Sequence, residues 1–272
     1  MKILDIKIDT LTKTQVLDKI EDYLNSNTSH QVATVNAEFI LAARNDKDFK
    51  EILNQTDLNI PDTISLSWAT TMQNIKLTKI PILRSLEAIL FYKLTGASII
   101  FYPKYISKII PERIPGSDFV WDLIELANKK KSKVFLLGGK KNAAQKTAEK
   151  FKAKYPELII CGVSEKNPDN PDLIDEIKST RPDILIVAYG APKQEKWLAK
   201  NLKDSGAKVG IGVGGTFDFI SGKIKRAPKF IRSIGLEWLW RLVRQPSRIK
   251  RIYNAFIKFS LIVLYTKIKS NS

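Results

Sequence analysis

A chain of 272 residues, 44% of them hydrophobic, is long enough to bury a full core and is not a disordered or fibrous polymer. One cysteine, Cys161, excludes an internal disulfide, and one histidine, His30, leaves a His/Cys metal site or a Ser-His-Asp triad without its partners. The formal net charge of +17 points to an anionic partner, whether nucleic acid, phosphorylated substrate or membrane surface, with a merely solvated basic face as the plain alternative.

Met1–Ile8 alternates and carries charge, unlike the apolar run of a secretion signal, so a cytoplasmic protein is expected. Ile3–Ile8 reads as a strand. Thr12-Lys-Thr-Gln15 is a capping-box pattern opening a helix through Leu24. His30 precedes the short β-branched run Val32–Asn36 and reads as a surface or edge histidine. At the end of that run, Asn36 either hydrogen-bonds a sugar or base or caps a helix starting at Ala37. Phe49–Asn54 reads as helix and Leu58–Ile60 as a strand stopped by Pro61. Asp62 follows. In a doubly wound sheet the C-terminal strand ends form the ligand crevice, where a carboxylate can take a proton from an incoming hydroxyl. The same residue equally suits the N-cap of a helix over 63–70.

Thr71–Pro111, rich in Lys, Ile, Leu and Tyr, interrupts the rhythm and reads as an amphipathic hairpin or an inserted strand and helix. Beyond it, Val134–Leu137, Leu158–Cys161, Ile184–Val187 and Val209–Val213 are short apolar runs. Helix-forming stretches lie near 121–130, 141–154, 171–179 and 193–204. Apolar strands alternating with helices make an α/β fold, a largely parallel sheet with helices on both faces. Cys161 then reads as a small core residue. Gly138-Gly139 offers a phosphate-facing turn, and Gly214 and Gly215 follow a strand where backbone amides can approach a diphosphate. After Gly190-Ala-Pro192, Glu195 is ordinary first-turn chemistry, whereas Gln194 is a hydrogen-bonding group suited to a nucleobase or sugar.

From Gly222 to Ser272 there are 13 basic residues against one acid, Glu237. Pro228–Arg244 and Ser247–Lys267 read as helices split at Gln245-Pro246. Ile252–Ile268 is apolar but interrupted by Lys258 and Lys267, and is shorter than the ~20 residues of a spanning helix. A basic amphipathic helix lying in the membrane interface fits it.

Nine motifs occur in order: Asn36-Ala-Glu38, Pro61-Asp62, Arg113-Ile-Pro-Gly-Ser-Asp118, Leu136-Leu-Gly-Gly139, Pro182-Asp-Ile-Leu185, Gly190-Ala-Pro-Lys-Gln-Glu195, Gly212-Val-Gly-Gly-Thr-Phe-Asp218, Lys225-Arg-Ala-Pro228 and Leu236-Glu-Trp238. Together they resemble the WecG/TagA/CpsF glycosyltransferases over nearly the whole chain. The resemblance implies a Rossmann-like catalytic domain over 1–221, with 71–111 as an insertion, and a helical membrane-associating appendage over 222–272. It implies inverting transfer of N-acetylmannosamine, or its uronic acid, from a UDP-sugar donor to a lipid-linked acceptor, undecaprenyl-diphosphate N-acetylglucosamine, in cell-surface polysaccharide or teichoic acid synthesis. No metal and no cofactor are implied. The catalytic aspartate falls on Asp62. Thr34, Asn36, Arg113, Gly138, Gly139, Gln194, Gly214 and Gly215 fall in the substrate-binding set, with Arg241, Arg248 and Arg251 of the appendage reaching the diphosphate. Expected partners are the donor, the acceptor and an anionic membrane surface at the inner face of the cell membrane, not nucleic acid; homo-oligomerisation stays open.

The chain departs from the family at Asp62-Thr63, where many members carry Asp-Gly, and in the length of 71–111. Another UDP-hexose, such as glucose, or another lipid-linked acceptor therefore stays open. A nucleic-acid-binding protein, suggested by interleaved Trp238, Trp240 and Arg241, predicts steep salt dependence and no need for a strand-end acid. An NAD-dependent oxidoreductase would carry Gly-x-Gly-x-x-Gly after the first strand, which this chain lacks.

Overall fold

The computed structural model describes residues 1–224, 228, 240, 242–243, 246 and 249–270. Its centre is a six-stranded parallel sheet. The strands are β3 (His30–Val35), β4 (Leu58–Pro61), β5 (Val134–Gly138), β6 (Ile160–Ser164), β7 (Ile184–Ala188) and β8 (Val209–Gly212), in spatial order β4-β3-β8-β7-β5-β6. β5 and β7 are uninterrupted apolar runs up to their last residue, as buried parallel strands require. β6 starts two residues later than the apolar run at 158–161 suggests, with a register irregularity opposite Val134/Phe135. The segment expected as one strand over 3–8 is a hairpin, β1 (Lys2–Ile3) and β2 (Ile6–Lys7). Leu4 and Asp5 turn it with φ +46° and +69°, the backbone of a tight hairpin turn, usual for Asp5 and unusual for Leu4.

Helices cover both faces. α1 (Lys13–Asn25) opens with the Thr12/Gln15 capping box, both reciprocal bonds present. α2 (Ala37–Ala43), α3 (Lys47–Gln55), α4 (Ile64–Asn74), α6 (Gly116–Lys130), α7 (Ala143–Lys154), α8 (Leu173–Thr180), α9 (Lys193–Ser205) and the short α10 (Thr216–Ile220) complete the α/β core. Alternation along β3 divides its side chains: Val32 joins the core under α1, α6 and α7, while Ala33 and Val35 join the one under α2 to α4.

Between α4 and α6 lies one 21-residue helix, α5 (Pro81–Phe101), then a 3-10 turn, Pro103–Tyr105. It replaces the expected hairpin or strand-plus-helix. Pro81 at its start, Ala88 and Thr95 on its buried side and Trp68 Nε1 donating to Thr95 Oγ1 at 2.9 Å fix it on α4. At the C-terminus a helical run passes through α11 (Ile249–Ile252), a π-helical stretch Tyr253–Lys258 and α12 (Phe259–Lys269). Phe259 and Val263 are fully buried in the same core as Ile3, Ile6 and Ile8. Most of the expected helix over 228–244 lies outside the described residues.

Candidate active site

The parallel strands point their C-terminal ends to one side, and a cleft of about 700 Å³ opens beyond β3, β4, β7 and β8. Asp62 sits on its floor, one residue past β4. Its N–H donates to Val35 O at 2.8 Å, which continues the β3–β4 ladder and fixes where the side chain begins. Asp62 Oδ1 accepts the N–H of Gly116 at 3.0 Å, the first residue of α6. α4 instead starts from Thr63, with no side-chain cap bond, so Asp62 does not cap the helix over 63–70. It faces the N-terminal end of α6. Thr34 seats that end. Its Oγ1 donates to Gly212 O at 3.0 Å, and a Cβ at Gly116 would lie 3.2 Å from its side chain, so glycine permits the approach.

Asn36 also lines the cleft and takes the helix-cap role: its Oδ1 accepts from Glu38 N and Phe39 N at 2.9 and 3.2 Å as the cap of α2. That leaves its amide nitrogen as the group to offer a ligand.

Gln194 is almost wholly buried and has a structural task that its sequence does not reveal. Its Oε1 accepts from Gly190 N at 3.0 Å and Gly214 N at 2.9 Å, tying the loop after β7 to the loop after β8. Its Nε2 donates to Glu195 Oε1 at 2.6 Å. Glu195, which reads in sequence as an ordinary first-turn acid, is completely buried; burial pushes its carboxyl up to about 7 against the Gln194 bond. A Cβ at Gly212 would stand 2.5 Å from Gln194 Nε2 and 2.6 Å from Glu195 Oε1, so β8 needs glycine there.

Gly214, Gly215 and Arg113 line the cleft. Gly138 and Gly139 are not among its lining residues: they close β5 at φ +91° and +84° and pack on Ala188 and Tyr189, and on Ala143 and Phe217. Arg251, Ile252, Ala255 and Phe256 bring the C-terminal run to the cleft as a wall. Arg251 Nε donates to both carboxylate oxygens of Glu38, at 2.9 and 3.1 Å, and Nη2 also bonds Glu38 Oε2. The carboxylate holds the guanidinium's pKa above its ordinary value. Arg241 and Arg248 lie outside the described residues.

Glu38, Asp218 and Phe256 line the cleft and Glu195 lies against Gln194, and the sequence singles out none of them. Acids in first turns are common, and nothing local marks Glu38 as the partner of an arginine 213 residues away. The chain's one Asp-x-Asp spacing, Asp46-Lys47-Asp48, opens α3 away from the cleft lining: Asp46 caps Phe49 N and pairs with Lys196. His30 stacks on Tyr23 and bonds Asp57 at the opposite end of β3.

The cleft thus brings together a carboxylate at a helix N-terminus, two glycine loops tied to each other by Gln194, and arginines at its rim. That set can take a proton from a nucleophile and stabilise an anionic leaving group. Comparison with known proteins agrees in kind. The family described as "Glycosyl transferase WecG/TagA/CpsF family" matches over residues 1–91 and 84–272. An N-acetylglucosaminyldiphosphoundecaprenol N-acetyl-beta-D-mannosaminyltransferase of Bacillus subtilis (strain 168) is 30% identical over 253 residues, covering 92% of this chain and 86% of that protein. A protein of the same description from Bacillus spizizenii is 29% identical over 231 residues, covering 85% and 77%.

Proposed function

The chain belongs to the WecG/TagA/CpsF family of glycosyltransferases, and from that premise we propose that it transfers N-acetylmannosamine, or its uronic acid, from UDP to undecaprenyl-diphosphate-linked N-acetylglucosamine. The observation that carries the reading is Asp62 at the cleft floor, held by Gly116 N–H, within one cleft with the Gly214-Gly215 loop and Arg251. Asp62 takes the proton of the attacking acceptor hydroxyl. The new C1–O bond forms on the face opposite the diphosphate, and the C1–O bond to UDP breaks with its electron pair on the leaving phosphate. Inversion follows from attack opposite the leaving group. Arg251, Arg113 and the amide of Gly215 stabilise the developing charge, without a divalent cation. Asn36 orients the donor through its amide nitrogen, and Gln194 does so by holding both loops in register.

Residues 1–221 act as the catalytic unit. The basic segment 222–272 acts as a membrane-binding appendage that completes the site, Arg241 and Arg248 joining Arg251 at the diphosphate. No helix among the described residues is long and apolar enough to cross a membrane. In this reading the lipid-linked acceptor is met at the surface of the inner leaflet.

A panel of UDP-sugars offered with a synthetic lipid-linked acceptor tests the reading. UDP-N-acetylmannosamine or its uronate should give a β-linked product; an α-linked product from the same α-donor would overturn inversion. Thr63 Oγ1 and Ser65 Oγ, 2.9 Å apart, put two hydroxyls beside Asp62 in place of a bare glycine turn. They favour, as the second reading, another UDP-hexose or another lipid-linked acceptor, and selective turnover of such a pair in the same panel would replace the first.

A further inference from the structure

The feature that the reaction leaves unused is the outer face of α5. Ile82, Leu83, Leu86, Ile89, Leu90, Leu94 and Phe101 are 42–83% exposed. Their spacing of three, four and seven residues puts them along one side of a helix roughly 30 Å long. A monomeric soluble protein rarely leaves so continuous an apolar stripe in water.

The C-terminal run repeats the pattern. Ile249, Tyr253, Ile257, Leu261 and Tyr265 recur every four residues and are 47–58% exposed. The two helices lie side by side and antiparallel: Tyr92 Oη meets Ser260 Oγ at 3.0 Å, and Arg84 Nη1 reaches Ile268 O at 3.5 Å and Ser270 O at 3.4 Å. Both pack on α4 through their buried sides, Ala88 and Thr95 from α5, Phe259 and Val263 from α12. Their exposed stripes therefore turn away from α4 together.

Charge identifies the occupant. Between Ile75 and Pro111 stand six basic residues, Lys76, Lys79, Arg84, Lys93, Lys104 and Lys108, against a single acid, Glu87. Glu87 is occupied locally, its Oε2 accepting Thr78 N at 2.8 Å. Lys76, Lys79, Lys93, Lys104 and Lys108 are exposed, as are Lys258 and Lys269 on the partner helix. Phe101 and Tyr102 end α5 as exposed aromatics, the residue type that settles at the headgroup level. An apolar stripe fringed by cations and finished by aromatics matches an anionic bilayer, into which such a helix sinks about 5–10 Å while lying flat.

We propose that α5 and the C-terminal helical run form a two-helix membrane-docking platform, and that α5 is a membrane-inserting element in its own right. The choice of occupant rests on the membrane-facing reading above. What is added is that docking does not belong to 222–272 alone: the segment 71–111 supplies half of the platform, and the C-terminal half runs directly into the cleft wall at Arg251–Phe256. The platform so placed holds the cleft mouth against the headgroups, where a diphosphate-linked sugar stands.

The test is flotation with phosphatidylcholine vesicles, with and without phosphatidylglycerol, using the full chain and two variants, Leu86→Gln/Leu90→Gln/Leu94→Gln and Leu86→Glu/Leu90→Glu/Leu94→Glu. The native chain should float with the anionic vesicles. Both variants should lose at least tenfold in bound fraction while keeping native turnover on a short-chain soluble acceptor. Because a triple variant can misfold, a second measurement uses Leu94→Cys with a polarity-sensitive dye in a Cys161→Ala background. Its emission should shift to the blue on adding anionic vesicles. Native flotation by both variants, or an unshifted dye, overturns the inference. So does sedimentation showing a native dimer that the variants convert to monomer with flotation unchanged, which would assign the stripe to a second copy of the chain. Failure of the native chain to turn over any UDP-sugar would overturn the reaction and leave the flotation result standing.

Discussion

Glu38 and Arg251 hold each other across the mouth of the cleft, one from the first turn of α2 and the other from the start of the C-terminal run, through two or more N–H···O bonds. The Arg251 side chain is 58% exposed, so the pair adds little to global stability. Its use is positional. Arg251→Ala should raise the donor KM and lower kcat, together about tenfold or more, as for a lost charge-assisted contact. Glu38→Ala should cost only a few-fold, and the double variant should match Arg251→Ala, because Glu38 acts through Arg251. Losses that simply add in this double-mutant cycle would show that Glu38 acts separately.

Asp62→Asn keeps an oxygen for Gly116 N–H and removes the base. Turnover should fall by about two to four orders of magnitude, with melting temperature and UDP affinity near native. Turnover close to native would remove Asp62 from the proton-accepting role.

Gln194→Ala breaks three hydrogen bonds at once and unties Gly190 from Gly214. Each buried group left unsatisfied costs about 1–3 kcal/mol, so urea midpoint and UDP affinity should drop together. A lower midpoint with unchanged UDP affinity would separate the loops from the donor site.

Glu195 gives a pH signature. Its folded pKa of about 7 stands above the ordinary 4.5, so the folded state holds a proton that the unfolded chain has released. The stabilisation is complete below about pH 4.5 and is lost as pH rises to about 7, at up to ~1.4 kcal/mol per unit. Stability of the native chain measured against Glu195→Gln by urea unfolding should therefore decline across that window and level off above it. A flat difference would mean that the carboxyl titrates normally.

The sheet was legible because strands such as β5 and β7 are separate apolar runs, and α1 because the Thr12/Gln15 capping box is local. Asp62 was legible by its place one residue past a strand. What escaped depends on distant chain. The turn at Leu4-Asp5 has one usual turn residue, Asp5, but also puts Leu4 at positive φ, and Ile3, Ile6 and Ile8 around it share one buried core. The amphipathic character of 71–111 was readable, but its single-helix form was not: Trp68 and the C-terminal run supply the buried side of α5 from elsewhere. Gln194 looked uncommitted because both of its loop partners are backbone N–H groups, which leave no trace in a sequence. Gly138-Gly139 looked phosphate-facing because a strand followed by two glycines is the same string whether the loop meets a ligand or an adjacent loop.

Removing residues 249–272 tests how the C-terminal run is held. Phe259 and Val263 are fully buried, and each contributes about 1.5–3 kcal/mol. The truncated chain should melt at a clearly lower temperature and expose apolar surface to a dye such as ANS. An unchanged melting temperature would show that the run rests on the core without supporting it.

The seating of Phe259 and Val263 beside Ile3, Ile6 and Ile8 also sets an order of events in synthesis. A ribosome releases the first strand more than two hundred residues before the helix that covers its core. The hairpin at the N-terminus must therefore wait, its neighbours α4 and α5 incompletely covered, until Phe259 and Val263 have been made. Contacts of such long sequence separation close slowly. The helix that finally seals this core also brings Arg251 to Glu38, so a nascent chain finishes this core and the mouth of its cleft in a single late closure.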